Sequence, residues 1–232
     1  MGLVEEDRRN VIVFSLRRSL THAIISWICR QSGSARHYNN CTIKGVLGNA
    51  IRPSKEGTAK INYGEKPYKF HLYNFEDTLV NYKANIYLDL DNVTYILIIR
   101  DPFNLVASRF KIGWGMKIRG NAKDTILDVW KQHALEYLNS DKIIGINSNN
   151  WFSDESYRKE IAEKLNLSFS DNGIEIPHKV GRSSFNNKTK DAREFDILGR
   201  YKHYINDGKY LSLFDDEIIS LTQKCFGFGK LW

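Results

Sequence analysis

The stretch NVIVFSLRRSLTHAIISWI, residues 10–28, decides the fold of this chain and raises the first question about its function. Its first part, Asn10–Leu16, is almost wholly apolar and β-branched, which is typical of a strand buried on both faces of a sheet. Its second part begins the predicted helix Ser19–Gln31, with apolar residues at helical spacing. Two arginines, Arg17 and Arg18, stand between them. The start of a helix attracts anions, so the turn predicts a phosphate-like site; the alternative is a simple helix cap with solvated arginines.

Strands and helices alternate along the rest of the chain, which favours a parallel sheet covered on both faces. We predict three more strands and five more helices, with residues 32–66 and 170–190 dominated by loops. The predicted strands are Tyr68–Tyr73, Val93–Ile99 and Lys142–Ile146. The predicted helices are Pro102 to about Ile112, Asp124–Asn139, Asp154–Leu165, and two near 191–206 and 215–226. Asp124 is the expected cap of the second of these helices. The pattern predicts one α/β domain over residues 1–232, with three α/β/α layers.

Composition leaves several classes of function open. The chain has 232 residues, 42% of them hydrophobic, and a net charge of +7, which fits a basic surface, nonspecific nucleic-acid binding or a pocket for a polyanion. No apolar run is long enough for a membrane span and no signal peptide is visible. The three cysteines lack metal-ligand spacing and the six histidines are scattered, so we expect no metal site. We therefore expect a cytoplasmic protein with reduced thiols.

A second group of polar residues follows the most apolar predicted strand, in YILIIRDPFNLVASRF, residues 95–110. Arg100 leaves the end of that strand, where ligands of open α/β sheets bind. Ser108 follows eight residues later on the next predicted helix. An arginine fork and a hydroxyl can together bind a phosphate. The alternative is that Arg100 pairs with Asp101 and Ser108 only allows close helix packing.

With these two motifs the chain resembles the sulfotransferases that use 3′-phosphoadenosine 5′-phosphosulfate (PAPS). Their first loop has the form Pro-(Lys/Arg)-Ser-Gly-Thr-(Thr/His), and RRSLTH, residues 17–22, is similar to it. The resemblance implies that the loop binds the 5′-phosphosulfate through the four matching residues. These are Arg18, Ser19, Thr21 and His22. Two departures are visible: Arg17 replaces the proline and is a further candidate ligand, and Leu20 replaces the glycine. Because leucine adopts a positive φ only at a cost, we expect Leu20 to alter the loop.

Two further motifs extend the resemblance toward the end of the chain. Arg100, Pro102 and Ser108 match the family's second signature, which implies 3′-phosphate binding by Arg100 and Ser108. VGRSSF, residues 180–185, resembles a late loop that closes over the nucleotide. Its implied phosphate ligands and adenine contact are Arg182, Ser183, Ser184 and Phe185.

The resemblance implies a sulfotransferase fold related to the P-loop NTPases, and a reaction with a defined course. A sulfuryl group moves in line from PAPS to an acceptor hydroxyl or amine, leaving adenosine 3′,5′-bisphosphate (PAP), without a metal. Arg18 then stabilises the charge that develops on the leaving phosphate. His71, in a segment similar to the family's Lys-x-His-Leu, is the candidate catalytic base. Glu76 is the nearest carboxylate that can replace it.

The nature of the acceptor and the oligomeric state are not readable from the sequence. A glycan or a small molecule fits, and Trp114, between two glycines, either lies near the acceptor or, as we favour, pins its loop to the core. Three other functions stay open: a kinase-like phosphotransferase, which lacks its Gly-Lys-Ser/Thr loop here, a basic nucleic-acid-binding protein, and a family member that binds the nucleotide without turnover.

Overall fold

A six-stranded mixed sheet forms the centre of the molecule. The computed structural model describes residues 8–39, 41, 60–82, 84, 90–118, 121–172 and 196–231, with only the backbone of 121–123. The strand order is β3-β2-β4-β1-β5-β8, and every neighbouring pair is parallel except β2 and β3. The strands are β1 (Arg9–Ser15), β2 (Ala35–Tyr38), β3 (Lys60–Tyr63), β4 (Phe70–Glu76), β5 (Val93–Ile99) and β8 (Ile143–Asn147). A two-stranded ribbon adds β6 (Lys117–Ile118) and β7 (Asn121–Thr125).

Helices cover both faces of this sheet, as the alternating pattern predicts. On one face, α1 packs with α4 and α5 over side chains from the middle of β1, β4 and β5. On the other face, α2, α3, α6 and α7 enclose a second apolar cluster. The helices are α1 (Thr21–Gln31), α2 (Pro102–Lys111), α3 (Ile126–Asn139), α4 (Ser148–Ser153), α5 (Glu155–Lys164), a 3₁₀ helix (Arg200–Tyr204), α6 (Gly208–Leu211) and α7 (Asp216–Phe226).

The two central strands are the ones whose sequences are most continuously apolar. Residues 11–14 of β1 and 96–98 of β5 have no solvent exposure, because each strand is covered by helices on both sides. The chain leaves β1 through α1 toward β2, and leaves β5 through α2 toward β8, in opposite directions along the sheet. The carboxyl ends of β1 and β5 therefore border a topological switch point, where open α/β sheets bind ligands.

Several sequence predictions need correction. The region 32–66, predicted to be loop, contains β2 and β3, whose short, half-polar stretches carry little strand signal. The helix predicted near 191–206 is a 3₁₀ helix in its described part, and α4 was not predicted at all. The cap of α3 is Thr125 rather than Asp124. Thr125 forms a capping box with Asp128, in which each side chain accepts a backbone N–H of the other.

All three cysteines are buried thiols, and none forms a disulfide. In the parts of the chain that the structure describes, no helix combines the length and apolarity that crossing a bilayer requires. The predicted cytoplasmic location itself stays a prediction.

Replacing the capping residue should weaken the fold measurably. Thr125→Ala removes one half of the capping box at α3, so we expect the free energy of unfolding in urea to fall by about 1 kcal/mol. Asp124→Ala is the matched variant, since sequence alone favours that residue as the cap. A larger loss for Asp124→Ala than for Thr125→Ala would contradict the assignment.

Candidate functional site

The turn between β1 and α1 has an unusual backbone. Arg18 and Leu20 both have positive φ angles, 81° and 64°. Leu20 is the residue before α1, and no side chain caps the helix start. The first turn of α1 therefore keeps the character of an anion-binding site, with its N–H groups and the positive end of the helix dipole directed at the loop.

Leu20 adopts the left-handed conformation that its side chain disfavours. From the sequence we expect leucine to alter a loop in which the similar family has glycine. The structure shows that Leu20 nevertheless has the positive φ that glycine adopts freely. Such a conformation costs a non-glycine residue about 1–2 kcal/mol. Part of that cost is offset because the Leu20 side chain packs against the apolar cluster under α1. Strain that the surroundings maintain is a common property of functional sites.

Arg100 lies at the carboxyl end of β5 and reaches the turn after β1. Its guanidinium is almost wholly buried and donates hydrogen bonds to the carbonyl oxygens of Arg18, at 2.7 Å, and of Ile197. It also donates to the Ser108 hydroxyl at 3.3 Å. The structure therefore brings the two motifs together in one place. The alternative, in which the Arg100 guanidinium pairs with the Asp101 carboxylate, is not observed. The Asp101 carboxylate instead accepts the Asn104 N–H and caps α2.

Arg200 is a third arginine at this place, buried like Arg100, and sequence reasoning missed it. Its guanidinium donates to the Ser108 hydroxyl at 2.6 Å, and the residue is only 5% exposed. It begins a 3₁₀ helix that packs on α2, in a polar segment that matches no motif. Its one sequence signal is weak: an arginine that follows a glycine, in LGR, after a loop-rich region.

The three arginines perturb one another because they share a poorly hydrated space. Burial, together with the positive charges of Arg100 and Arg18 and against the attraction of Asp196, lowers the pKa of Arg200 to about 8. Burial likewise lowers the pKa of Arg100 to about 10, with Asp101 opposing and Arg18 adding to the effect. Like charges gathered out of water are stabilised by a bound anion.

Three buried polar atoms at the same place lack hydrogen-bond partners within the described residues. They are the Thr21 hydroxyl, Nδ1 of His22 and Nε of Arg100. Buried polar groups are rarely left unpaired, because each costs about 1–3 kcal/mol. All three belong to motif residues, and a ligand rich in phosphate oxygens can accept from each of them when His22 carries a proton on Nδ1. The residues present therefore fit a phosphate-bearing ligand.

Glu76 and Asp77 lie at the carboxyl end of β4, beside the turn. Arg17 contacts both: its Nε is 3.6 Å from Glu76 and 3.7 Å from Asp77, and its backbone N–H donates to Asp77 at 2.8 Å. Nε2 of His22 is 3.9 Å from Glu76. Burial raises the pKa of Glu76 to about 7, although Arg17 and Arg18 oppose this and Asp77 adds to it. Glu76 can therefore exchange a proton near neutral pH.

His71, the predicted catalytic base, lies at the other end of the sheet. It pairs in register with Asn10 near the start of β1, whereas Glu76 pairs with Ser15 at its end. Glu76 lies five residue steps along the strand from His71, roughly 16 Å at the usual rise per residue. Its Nδ1 is bonded to Arg8 at 2.9 Å, and burial and Arg8 lower its pKa to about 4. The structure does not bring His71 to the site.

The sequence interpretation favours a Trp114 that pins its loop to the core, but the structure does not show this. Its side chain is 45% exposed, and its ring centroid lies 5.8 Å from the guanidinium of Arg17 and 5.7 Å from that of Arg109. The predicted late loop, with Arg182, Ser183, Ser184 and Phe185, lies outside the described residues. No group of metal-binding side chains is found in the part of the chain that the structure describes.

Comparison with known proteins supports the fold and leaves the family open. No family model matches the chain, and no curated protein sequence matches it either. Among solved structures, it is similar to mouse sulfotransferase SULT7A1 complexed with PAP. The two share 15% sequence identity and a TM-score of 0.55, over 97% of this chain and 86% of the mouse chain. The chain thus has a sulfotransferase-like α/β fold.

The strain at Leu20 can be measured by comparing two truncations. Leu20→Gly and Leu20→Ala both lose the leucine packing, but only glycine adopts the positive φ freely. We expect Leu20→Gly to be more stable than Leu20→Ala by about 1 kcal/mol in urea unfolding. The reverse order, which is normal for an ordinary backbone position, would contradict the left-handed conformation.

Proposed function

We propose that this protein is a sulfotransferase that moves a sulfuryl group from PAPS to an acceptor hydroxyl or amine. The observation that carries the proposal is the convergence of Arg18, Arg100 and Arg200 at the switch point between β1 and β5. The resemblance of residues 17–22 and 100–108 to the family's two signatures supports it. The likeness of the fold to a sulfotransferase is consistent with it.

In this proposal the two motifs bind the two ends of the cofactor. The turn binds the 5′-phosphosulfate, through the uncapped start of α1 and the side chains of Arg17, Arg18, Ser19, Thr21 and His22. Arg100, Ser108 and Arg200 bind the 3′-phosphate. Ser108 accepts hydrogen bonds from both arginines, so its own proton stays available for a phosphate oxygen. Arg182, Ser183, Ser184 and Phe185 stay predicted contacts of the same nucleotide.

When bound, PAPS supplies an activated sulfuryl group, and the remaining tasks belong to the protein. Arg18, beside Glu76 and near Arg100, is placed to stabilise negative charge on the departing phosphate. Glu76 is placed to take the proton of the acceptor, because its pKa near 7 lets a carboxylate form at neutral pH and still hold a proton afterwards. The proposal therefore assigns the base to Glu76 rather than to His71.

The arginine cluster should make the protein select PAP over other adenine nucleotides. We expect PAP to raise the melting temperature clearly more than AMP or ATP. Arg200→Ala should weaken PAP binding about 10- to 100-fold in calorimetry, as should Arg100→Ala, since each removes a charged hydrogen-bond donor. Arg158→Ala is the matched control, because Arg158 is equally buried but pairs with Asp171 under α5. Equal stabilisation by AMP and PAP would contradict a 3′-phosphate site.

Substituting each candidate base separates the two assignments. With radiolabelled PAPS and pooled glycans, lipids, phenols and peptides, Glu76→Gln should lower kcat by about 10²- to 10⁴-fold. His71→Gln should leave kcat unchanged. The carboxylate is the active form, so kcat/KM should rise with pH through about 7 or somewhat higher, since bound anions raise the pKa of Glu76 further. An acid limb near pH 4, lost in His71→Gln, would point to His71 instead.

A further inference from the structure

Trp114 differs from the other described tryptophans in its exposure. The side chains of Trp27, Trp130 and Trp151 are fully buried in the two apolar clusters, whereas Trp114 is 45% exposed. A large apolar surface left in water beside charged groups is a common mark of a binding site. Tryptophan also loses little conformational freedom when it binds a ligand, since only two side-chain torsions are fixed.

The loop around Trp114 is held in place by Arg109. The Arg109 guanidinium donates to the carbonyl oxygens of Gly115, at 3.2 Å, and of Lys117, at 2.7 Å, and lies 3.4 Å from the Asp77 carboxylate. The backbone N–H of Trp114 donates to the Arg109 carbonyl oxygen at 3.1 Å. Gly115, like Gly113, has a positive φ, which lets the chain turn sharply on either side of the indole. The exposed ring is therefore pre-positioned.

Arg17 connects this ring to the candidate base. Its guanidinium contacts the Trp114 ring at 5.8 Å and the Glu76 carboxylate at 3.6 Å. Asp77 accepts the Arg17 N–H and also binds Arg109, so one carboxylate fixes both sides of this arrangement. Arg17 thus contacts both the Glu76 carboxylate and the indole of Trp114, which is the exposed apolar surface on this side of the turn.

The side chains around Glu76 limit the chemical classes of acceptor that the site can bind. An ammonium acceptor is repelled by Arg17 and Arg18, which favours a hydroxyl. A pocket for a phenol or a lipid is lined mostly by apolar side chains. Glu76 interacts here with four charged or titratable side chains, namely Arg17, Arg18, His22 and Asp77. A sugar ring combines many hydroxyl groups with an apolar C–H face that packs on an indole.

We propose, resting on the proposed sulfotransferase function, that Trp114 and Arg17 form the acceptor subsite and that the acceptor is a carbohydrate. The sugar ring packs on Trp114 and presents one hydroxyl to Glu76. The hydroxyl oxygen forms a bond to sulfur while the sulfur–oxygen bond to the phosphate of PAPS breaks. The hydroxyl proton passes to the Glu76 carboxylate, and PAP leaves with the electron pair.

The exposed indole allows a direct binding test. The protein carries Trp232→Phe, because Trp232 lies outside the described residues, and is saturated with PAP. It is titrated with a neutral hexasaccharide (chitohexaose), an acidic one (a chondroitin hexasaccharide) and phenol, with excitation of tryptophan alone. We expect a saturable change of emission with a saccharide, absent in Trp114→Phe, and no saturable change with phenol. Emission changes that survive Trp114→Phe, or that occur only with phenol, would overturn the proposal.

Transfer of label tests the same subsite during turnover. The saccharide that binds should accept sulfur from radiolabelled PAPS. Trp114→Ala should raise its KM about tenfold or more, with the PAP dissociation constant unchanged. Leu135→Ala, an equally exposed apolar residue on α3, is the control and should change neither value. PAP binding without transfer to any saccharide would overturn the acceptor class alone, whereas loss of selective PAP binding in the wild-type protein would overturn the proposed function as well.

Discussion

The site is built on two buried guanidinium groups, those of Arg100 and Arg200, which share the Ser108 hydroxyl and lie near the partly buried Arg18. Burial and mutual repulsion lower the pKa values of Arg100 and Arg200, and main-chain carbonyl oxygens fix the direction of Arg100. The arrangement forms because β1 and β5 are adjacent and parallel, so the residues after both strands meet at one edge of the sheet. A ligand with two separate anionic groups relieves the repulsion at both ends of the cluster.

The two carboxylates at the carboxyl end of β4, those of Glu76 and Asp77, have different partners. Asp77 is tied to the backbone of Arg17 and to the guanidinium of Arg109, and so connects the phosphate turn to the Trp114 loop. Glu76 faces the turn with a pKa raised by burial, which is the property that proton transfer requires. Both carboxylates contact Arg17, so Asp77 helps to hold in place the arginine that lies against Glu76.

The elements that carry a long apolar pattern could be predicted from the sequence. The prediction of the strand Val93–Ile99 matches its observed bounds, β1 is shifted by one residue at each end, and α2 is one residue shorter than predicted. Arg200 was missed because a 3₁₀ helix in a polar segment has no periodic signal. The position of His71, at the opposite end of β4 from Glu76, could not be predicted because a strand pattern does not tell which of its ends lies beside the arginines. The conformation of Leu20 opposes its local preference and is set by packing.

A crystal structure of the protein with PAP is the decisive measurement, because it shows which residues contact each phosphate. We expect the 3′-phosphate to contact Arg100, Ser108 and Arg200, and the 5′-phosphate to lie at the start of α1 beside Arg18 and Thr21. Each of the unpaired atoms at Thr21, His22 and Arg100 should then gain a partner from the ligand or from water ordered by it. A nucleotide bound elsewhere, with the arginine cluster unchanged and its polar atoms still unpaired, would contradict the account.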